Sequence, residues 1–316
     1  MNRCAVCQNM IDEEDLFCPD CGTESPVAHR PVQPVQLSTH NFKCHGCGAS
    51  MSYDASAGTL RCPFCGSQQL ESQPDAQTLR AELVVPFQFS REQAVVQMRQ
   101  WLGRGFWRPG DLATSALVVS MTPVYVPYWV FAAQTHTYWT ADTNQTPAGA
   151  RADWYPLFGR REGNYENLLV GASGALTAAE TWQISPFDLS PGVAPEKLDL
   201  ENAIVEQFSV QRKYARPLAR HGLESMETEA CEGQVPGTAR NVKVNVLVSQ
   251  LTSRPVLLPV WIMAYRYREQ VFRFLVNGQT GQATGKAPFS YRKLGAAIAI
   301  GVGLLLLMLA LIASLR

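Results

Sequence analysis

Charge is scarce in this sequence. Only 17% of its residues are Asp, Glu, Lys or Arg, and 27 basic residues balance 27 acidic ones for a formal net charge of +0. A chain that grips a polyanion over its whole surface needs an excess of Lys and Arg, so the bulk composition argues against that class. Histidine is scarcer, with 5 in the chain. His136 and His221 stand without the Ser, Cys or carboxylate pattern of a catalytic triad around them. No apolar run occurs from Met1 to Arg30, so no secretory leader is expected. The glycine-rich stretch GQTGQATGKAP (Gly278 to Pro288) lacks the spacing of a phosphate loop. Thr280 stands where the first glycine would be and Ala287 where Ser or Thr would follow the lysine, so a glycine-rich hairpin is expected instead.

Cysteine, by contrast, is present and clustered. Of 9 cysteines, all but Cys231 fall into Cys-x-x-Cys pairs within the first 65 residues: Cys4/Cys7, Cys18/Cys21, Cys44/Cys47 and Cys62/Cys65. Without a leader, a disulfide framework is a poor reading, and thiolates held by a metal in a reducing compartment a better one. A Zn²⁺ ion takes four soft ligands in a tetrahedron, and each Cys-x-x-Cys turn supplies two of them. Gly22, Gly48 and Gly66 follow three of the pairs and let the backbone turn back on itself; Gln8 takes that place in the first pair. Two structural Cys4 zinc ribbons are expected: Cys4, Cys7, Cys18 and Cys21 within residues 1–24, and Cys44, Cys47, Cys62 and Cys65 within 42–68, with pairing interleaved across the linker as the alternative. Such sites leave no open coordination position for catalysis, and structural zinc contributes about 10–16 kcal/mol to folding of comparable peptides. His45 lies inside a knuckle and is read as exposed filler. Cys231 is read as a buried or free thiol.

Nucleic-acid contact by the ribbons requires cations. The first ribbon has Arg3 against Asp12, Glu13, Glu14, Asp15, Asp20 and Glu24; the second has Lys43 and Arg61 against Asp54. Phe42, Tyr53 and Phe64 are of the type that stacks bases, but in a ribbon they usually form its small core. Contact with protein fits better, and nucleic-acid binding is the alternative.

The other end of the chain has no charge from Gly295 to Leu315. At about 1.5 Å per residue this run spans roughly 30 Å, the thickness of a bilayer core. A tail-anchoring transmembrane helix over 294–315 is expected. Lys286, Arg292 and Lys293 precede it, which puts the body on the cytoplasmic side of the inner membrane. Ala297/Gly301 and Ala299/Gly303 are small-xxx-small pairs that permit close helix packing, so self-association stays open.

Between a Pro-rich linker (25–41) and the span lies a body, residues 81–290, of mixed signals. ELVVPFQF reads as a short strand. Ser90 and Gln93 form a capping-box pattern ahead of a helix with Val95, Met98, Trp101 and Leu102 on one face. ALVVSMTPVYVPYWVFAAQTHTYWTAD reads as strand, placed at an edge or interrupted because of Pro123 and Pro127. A long helix is expected over Asp199 to Cys231, carrying a solvated acidic face of Glu224, Glu227, Glu229 and Glu232. Val242, Val244, Val246 and Val248 alternate on one strand face, and Asn277-Gly278 suits a turn of positive φ. A weak repeat pairs Pro86-Phe87-Gln88-Phe89-Ser90 with Pro186-Phe187-Asp188-Leu189-Ser190, and Pro127-Tyr128-Trp129 with Pro259-Val260-Trp261. It leaves open a body of two related halves, in which Trp129 and Trp261 are core anchors. The fold class is α+β: two N-terminal ribbons projecting from a mixed body, and one C-terminal span.

The ribbons with C-H-G-C-G and C-P-F-C-G, the VYVPYWVF and LLPVWIMAYRY segments, FLVNGQTGQATGKAP and the terminal apolar run together resemble a family of bacterial membrane-anchored zinc-ribbon (TFIIB-type zinc-finger domain) proteins. These are often labelled as relatives of the primosomal helicase. The chain has no ATPase motif, so that part of the label is set aside. The resemblance implies a non-enzymatic membrane adaptor that accompanies SPFH-domain or PspA-like envelope-stress proteins. The alternative is a membrane-held nucleic-acid-binding regulator.

Overall fold

The computed structural model describes residues 2–8, 10–11, 18, 23, 41–52, 61–73, 79–149, 152–200 and 203–314. It is an α+β structure. β1 (Asn2–Arg3) and β2 (Met10–Ile11) form a small sheet of their own. A 10-stranded sheet contains β3 (Asn41–Cys44), β4 (Ser50–Ser52), β5 (Leu70–Ser72), β6 (Leu83–Val84), β7 (Leu117–Thr143), β8 (Tyr155–Gly171), β9 (Ile204–Glu206), β10 (Ala239–Tyr267), β11 (Gln270–Asn277) and β12 (Ala283–Gly285). The helices are α1 (Arg91–Gly103), α2 (Leu112–Ser115), α3 (Ala178–Gln183), α4 (Arg212–Glu232) and α5 (Tyr291–Ser314). Ser90 and Gln93 close the expected capping box on α1.

Two strands dominate. β7 runs 27 residues and β10 runs 29, antiparallel to each other over most of that length. The expectation that Pro123 and Pro127 confine β7 to an edge or interrupt it is overturned: β7 is continuous and paired on both sides. Away from β10, β7 pairs with β9 at Val124 and Tyr125 and takes up β8 from Tyr128 onward. The prolines bracket the β9 window, so their missing N–H groups fall where the ladder changes partner. β10 repeats the device. Pro255 and Pro259 bracket the window at Val256 and Leu257, which pairs with β6, and β11 takes over from Val260.

This correspondence runs through the whole body. Val126 pairs with Leu258, both fully buried, and a pseudo-two-fold axis passes between them. The short strands are crossed: β6, from the first half, lies parallel to β10, and β9, from the second half, lies parallel to β7. The Trp129 indole N–H donates to the Val210 carbonyl at 2.8 Å, and that of Trp261 to the Phe89 carbonyl at 2.8 Å. Each ring packs on a phenylalanine of the other half, Trp129 on Phe208 at 5.3 Å and Trp261 on Phe87 at 5.1 Å. The Gly278 carbonyl accepts from Gln88 and Phe89 N–H at 2.9 and 2.8 Å; the Ala172 carbonyl accepts from Ser209 and Val210 at 2.9 and 3.2 Å. α1 buries Ala94, Met98 and Leu102, and α4 buries Ala215, Ala219 and Leu223 at matching distances from the helix start. The body is therefore two related halves. The Pro127/Pro259 part of the repeat holds, but the partner of the Phe87 segment is the Phe208 segment, not Pro186 to Ser190. The second copy is stretched because α4 has 21 residues against 13 in α1.

The pairing also shortens the expected helix. It begins at Arg212, because β-branched Ile204 and Val205 are taken up as β9. At the end of β11 the positive φ falls on Gly281 (76°) rather than Gly278. Asn277 there is fully buried, its amide donating to the Ile184 and Pro186 carbonyls at 2.8 and 2.9 Å.

Both faces of the central strands are covered, which is why β7 is buried without alternation from Val124 to Phe131. One face carries α1 and α4. The other packs Val124, Val126, Tyr128, Leu258 and Ile262 against residues of the second cysteine module and the segment around Ile184 and Phe187. Trp129→Phe or Trp261→Phe removes the donor to a carbonyl at this junction. Each is expected to lower stability by about 1–3 kcal/mol in urea unfolding; no change for either would show that the indole bonds do not hold the halves together.

Candidate metal centres and buried carboxylates

The cysteine knuckles share one backbone pattern. The Gly48 N–H donates to the Cys44 carbonyl at 2.9 Å and the Cys44 N–H to the Ala49 carbonyl at 2.8 Å. In the second knuckle Gly66 donates to Cys62 at 2.8 Å and Cys62 to Ser67 at 2.9 Å. Gly48 and Gly66 close these turns at φ 79° and 75°. The two turns face each other, with Cys44 Sγ 3.6 Å from Cys65 Sγ and Cys47 Sγ 3.6 Å from Cys62 Sγ. All four sulfurs lie within 4.8 Å of one another. Thiolates about 2.3 Å from a tetrahedral ion are separated by about 3.8 Å, so the four sulfurs could hold a metal ion. The contacts are far longer than the ~2.05 Å of a disulfide.

The hydrogen bond from Cys62, opposed by burial, pulls the Cys47 thiol down to about 5. The bond to Cys47, then burial, pushes Cys62 up, and burial pushes Cys65 up. A cation supplies the charge that would let all four ionise together. His45 stays outside the cluster and meets exposed Glu71 at 3.1 Å.

At the N-terminus Cys4, Cys7 and Cys18 converge in the same way, with Cys7 Sγ 3.5 Å from Cys18 Sγ; Cys21 lies outside the described residues. The Gln8 N–H donates to the Cys4 carbonyl at 3.0 Å and Gln8 adopts φ 61°, the left-handed conformation that Gly48 and Gly66 hold in the second module.

The second module does not project from the body. β4 pairs with β9, Met51 opposite Glu206 and Ser52 opposite Val205, so the cysteine hairpins belong to the large sheet. Asn41, Ser52 and Gln207 seal the junction. The Gln207 amide donates to Asn41 Oδ1 at 2.9 Å, and the Ser52 hydroxyl to the same oxygen at 2.6 Å. Phe42 and Phe64 are buried in the shared core and offer no stacking surface, while Tyr53 lies outside the described residues. β5 continues the module past residue 68, pairing with β3 through Ser72.

Two carboxylates escaped sequence reasoning. Glu206, on β9 beneath the module, is fully buried. Its Oε1 accepts from the Ser173 hydroxyl at 2.8 Å and from the Gly174 and Ala175 N–H groups at 2.9 and 3.1 Å. Burial outweighs these bonds and pushes the carboxyl up to about 7. Glu227 was expected on a solvated acidic face, and it is fully buried as well. Its Oε1 accepts from Thr135 at 2.5 Å, Arg161 at 2.6 Å and Tyr165 at 2.8 Å, tying α4 to the β7–β8 hairpin. Burial raises this carboxyl, but the three donors outweigh it and hold the group below its ordinary range. Gly163 leaves the room for this approach; a Cβ there would strike the carboxylate and the Thr135 hydroxyl. Glycine in a strand opposite a helical acid is the signal that was available. His136 and His221 sit at the surface, 3.6 and 4.0 Å from Glu162 and Glu224. Cys231 is buried beside Trp139 and Val235. An open cleft of about 730 Å³ between α3 and β12 is lined by Trp101, Trp182, Gln183 and Thr284, with no charged side chain.

The Glu206 carboxyl has an ordinary value of 4.5 and titrates at about 7 in the fold. Between those values the folded chain holds the extra proton, so this group makes stability fall as pH rises. Relative to the parent chain, Glu206→Gln is expected to gain about 1 kcal/mol between about pH 6 and pH 8 in urea unfolding; parallel pH curves would contradict the assignment. At the first cluster, Gln8→Gly relieves a left-handed backbone strain larger than glycine's own entropy cost. The net gain of about 0.5–1 kcal/mol predicts metal retention against a chelator that is roughly two- to fivefold tighter. Unchanged retention would mean the strain is not felt at the sulfurs.

No protein-family model matches the chain, and no solved structure matches it. It is similar to the uncharacterized protein YdjG of Bacillus subtilis (strain 168), with 24% identity over 314 residues, covering 81% of this chain and 92% of that protein.

Proposed function

We propose that this chain is a tail-anchored adaptor of the cytoplasmic membrane, non-enzymatic, with two structural zinc ribbons and its body on the cytoplasmic side. The observation that carries the reading is the continuity of the frame. The second cysteine module is stitched into the sheet through β4 and β9. At the other end of the chain, α5 contains a 19-residue stretch, Tyr291–Leu309, with mean hydropathy 1.9 and none of it buried. That stretch is long and apolar enough to cross a membrane. The four sulfurs of the second module suit zinc held for structure, with Cys4, Cys7 and Cys18 converging likewise in the first, and the buried acids Glu206 and Glu227 each give one carboxylate oxygen to donors within the fold. Lys286, Arg292 and Lys293 flank the apolar run on the side that would stay in the cytoplasm. The frame presents the ribbons to protein partners, for which the family resemblance names SPFH-domain or PspA-like proteins.

Two measurements bear on this. Metal analysis of the purified full chain is expected to give two zinc equivalents, falling to one in Cys62→Ser; a zinc-free folded chain would refute the ribbons. A tagged full chain is expected to hold its partner in the membrane fraction, and removing residues 294–316 to release that partner. An SPFH or PspA-like protein whose membrane location ignores the truncation would count decisively against recruitment.

A further inference from the structure

The loop between α1 and α2 carries Arg104, Phe106, Trp107 and Arg108 between glycines. It would be an unremarkable surface turn if its aromatic rings were covered. They are not: Phe106 is 70% exposed and Trp107 41%. Tyr291, the first residue of α5, is 79% exposed, and Phe289 45%. These four rings, distant in sequence, form one cluster. Trp107 stacks on Phe289 at 5.6 Å, Phe106 meets Trp107 edge-on at 5.0 Å, and Phe289 meets Tyr291 at 5.8 Å.

The cluster is fixed to both the body and the apolar helix. Arg108 lies over the Trp101 ring at 3.6 Å and donates to the Trp101 carbonyl, which holds the loop on α1. The Ser290 N–H donates to the Trp107 carbonyl at 2.7 Å, and the Lys293 ammonium stands 5.7 Å from the centre of the Phe106 ring. The Trp107 backbone is thus level with Ser290, four residues before the uncharged run begins at Leu294. With about 1.5 Å of rise per helical residue, that level lies within the headgroup layer, which is roughly 5–7 Å deep on each side of the hydrocarbon. Exposed Trp, Tyr and Phe with Arg and Lys are the composition that settles in such a layer. Neither 103–110 nor 286–293 contains an acidic residue, and Arg104, Lys286, Arg292 and Lys293 supply cations for anionic headgroups.

We propose that the α1–α2 loop, with Phe289 and Tyr291, forms a second membrane contact: an aromatic and basic pad seated among anionic lipid headgroups beside the span. It rests on the reading of α5 as a membrane span and adds a body surface to it. A single helix leaves a body free to swivel; a pad on the body fixes which of its faces looks at the lipid.

The native Trp107 is the probe. The full chain is reconstituted into vesicles of phosphatidylethanolamine and phosphatidylglycerol, with or without lipid brominated high on the acyl chain, and tryptophan emission is read. Trp107→Phe is expected to lose most of the bromolipid quenching. Trp154→Phe is expected to lose none, because Trp154 lies just before β8, beside the end of the long β7 strand opposite α2. Metal content per chain confirms that both variants are folded. If the chain resists alkaline carbonate extraction but the parent and Trp107→Phe are quenched alike, the span stands and the pad is overturned. If carbonate extracts the chain, the span fails and the pad with it.

Discussion

The crossed pairing at the centre of the sheet is the contact on which the rest of the molecule depends. β6 completes β10 and β9 completes β7, so each half supplies the strand the other lacks. The windows for these short strands are only two residues wide, and prolines on either side set their limits. The same junction carries the indole bonds from Trp129 and Trp261 and the carbonyls of Ala172 and Gly278. Neither half covers its central strand alone, because each takes one flanking strand from the other. The arrangement is the one a strand-swapped dimer would adopt with its two chains joined end to end.

The second cysteine module inherits its position from that junction. Its strand β4 lies on β9, which lies on β7, and Cys44 ends the next strand, β3, two strands from β9. Its core residues Phe42, Met51 and Phe64 pack in the same cluster as Val126 and Leu258 at the axis. A metal held at these thiols would therefore be coupled to folding of the body through shared apolar burial. The first cysteine module pairs only its own two short strands within the described residues.

What the sequence revealed was what local rules govern. Cys-x-x-Cys spacing, the Ser90–Gln93 cap, the alternation from Val242 to Val248 and the uncharged run after Lys293 each depend on neighbours a few residues away. What it concealed depends on partners far along the chain. Pro123 and Pro127 read as interruptions because nothing local shows that β9 and β8 share the flank of β7. Ile204 and Phe208 fit a helical spacing, but pairing with β7 draws Ile204 into β9, and Phe208 just beyond it packs on Trp129. Glu227 looked like one of four solvated acids; its burial is set by Thr135, Arg161 and Tyr165, which arrive from another hairpin. The repeat was half legible, since the Trp129 and Trp261 strands kept their pattern while the longer second helix shifted everything before it.

The pseudo-two-fold axis makes what is not duplicated informative. Where β4 of the cysteine module lies on β9, the equivalent place on β6 is held by Val193, in the plain segment after α3. Where the second half runs on past β12 into an apolar helix, the first half turns back into α3 and prepares the next copy. A symmetric frame has two interchangeable ends and no direction. One added module on one copy and one added helix after the other turn that frame into an object with a head and a foot. Selection acting on such a chain can alter either end separately, provided the shared middle keeps its register.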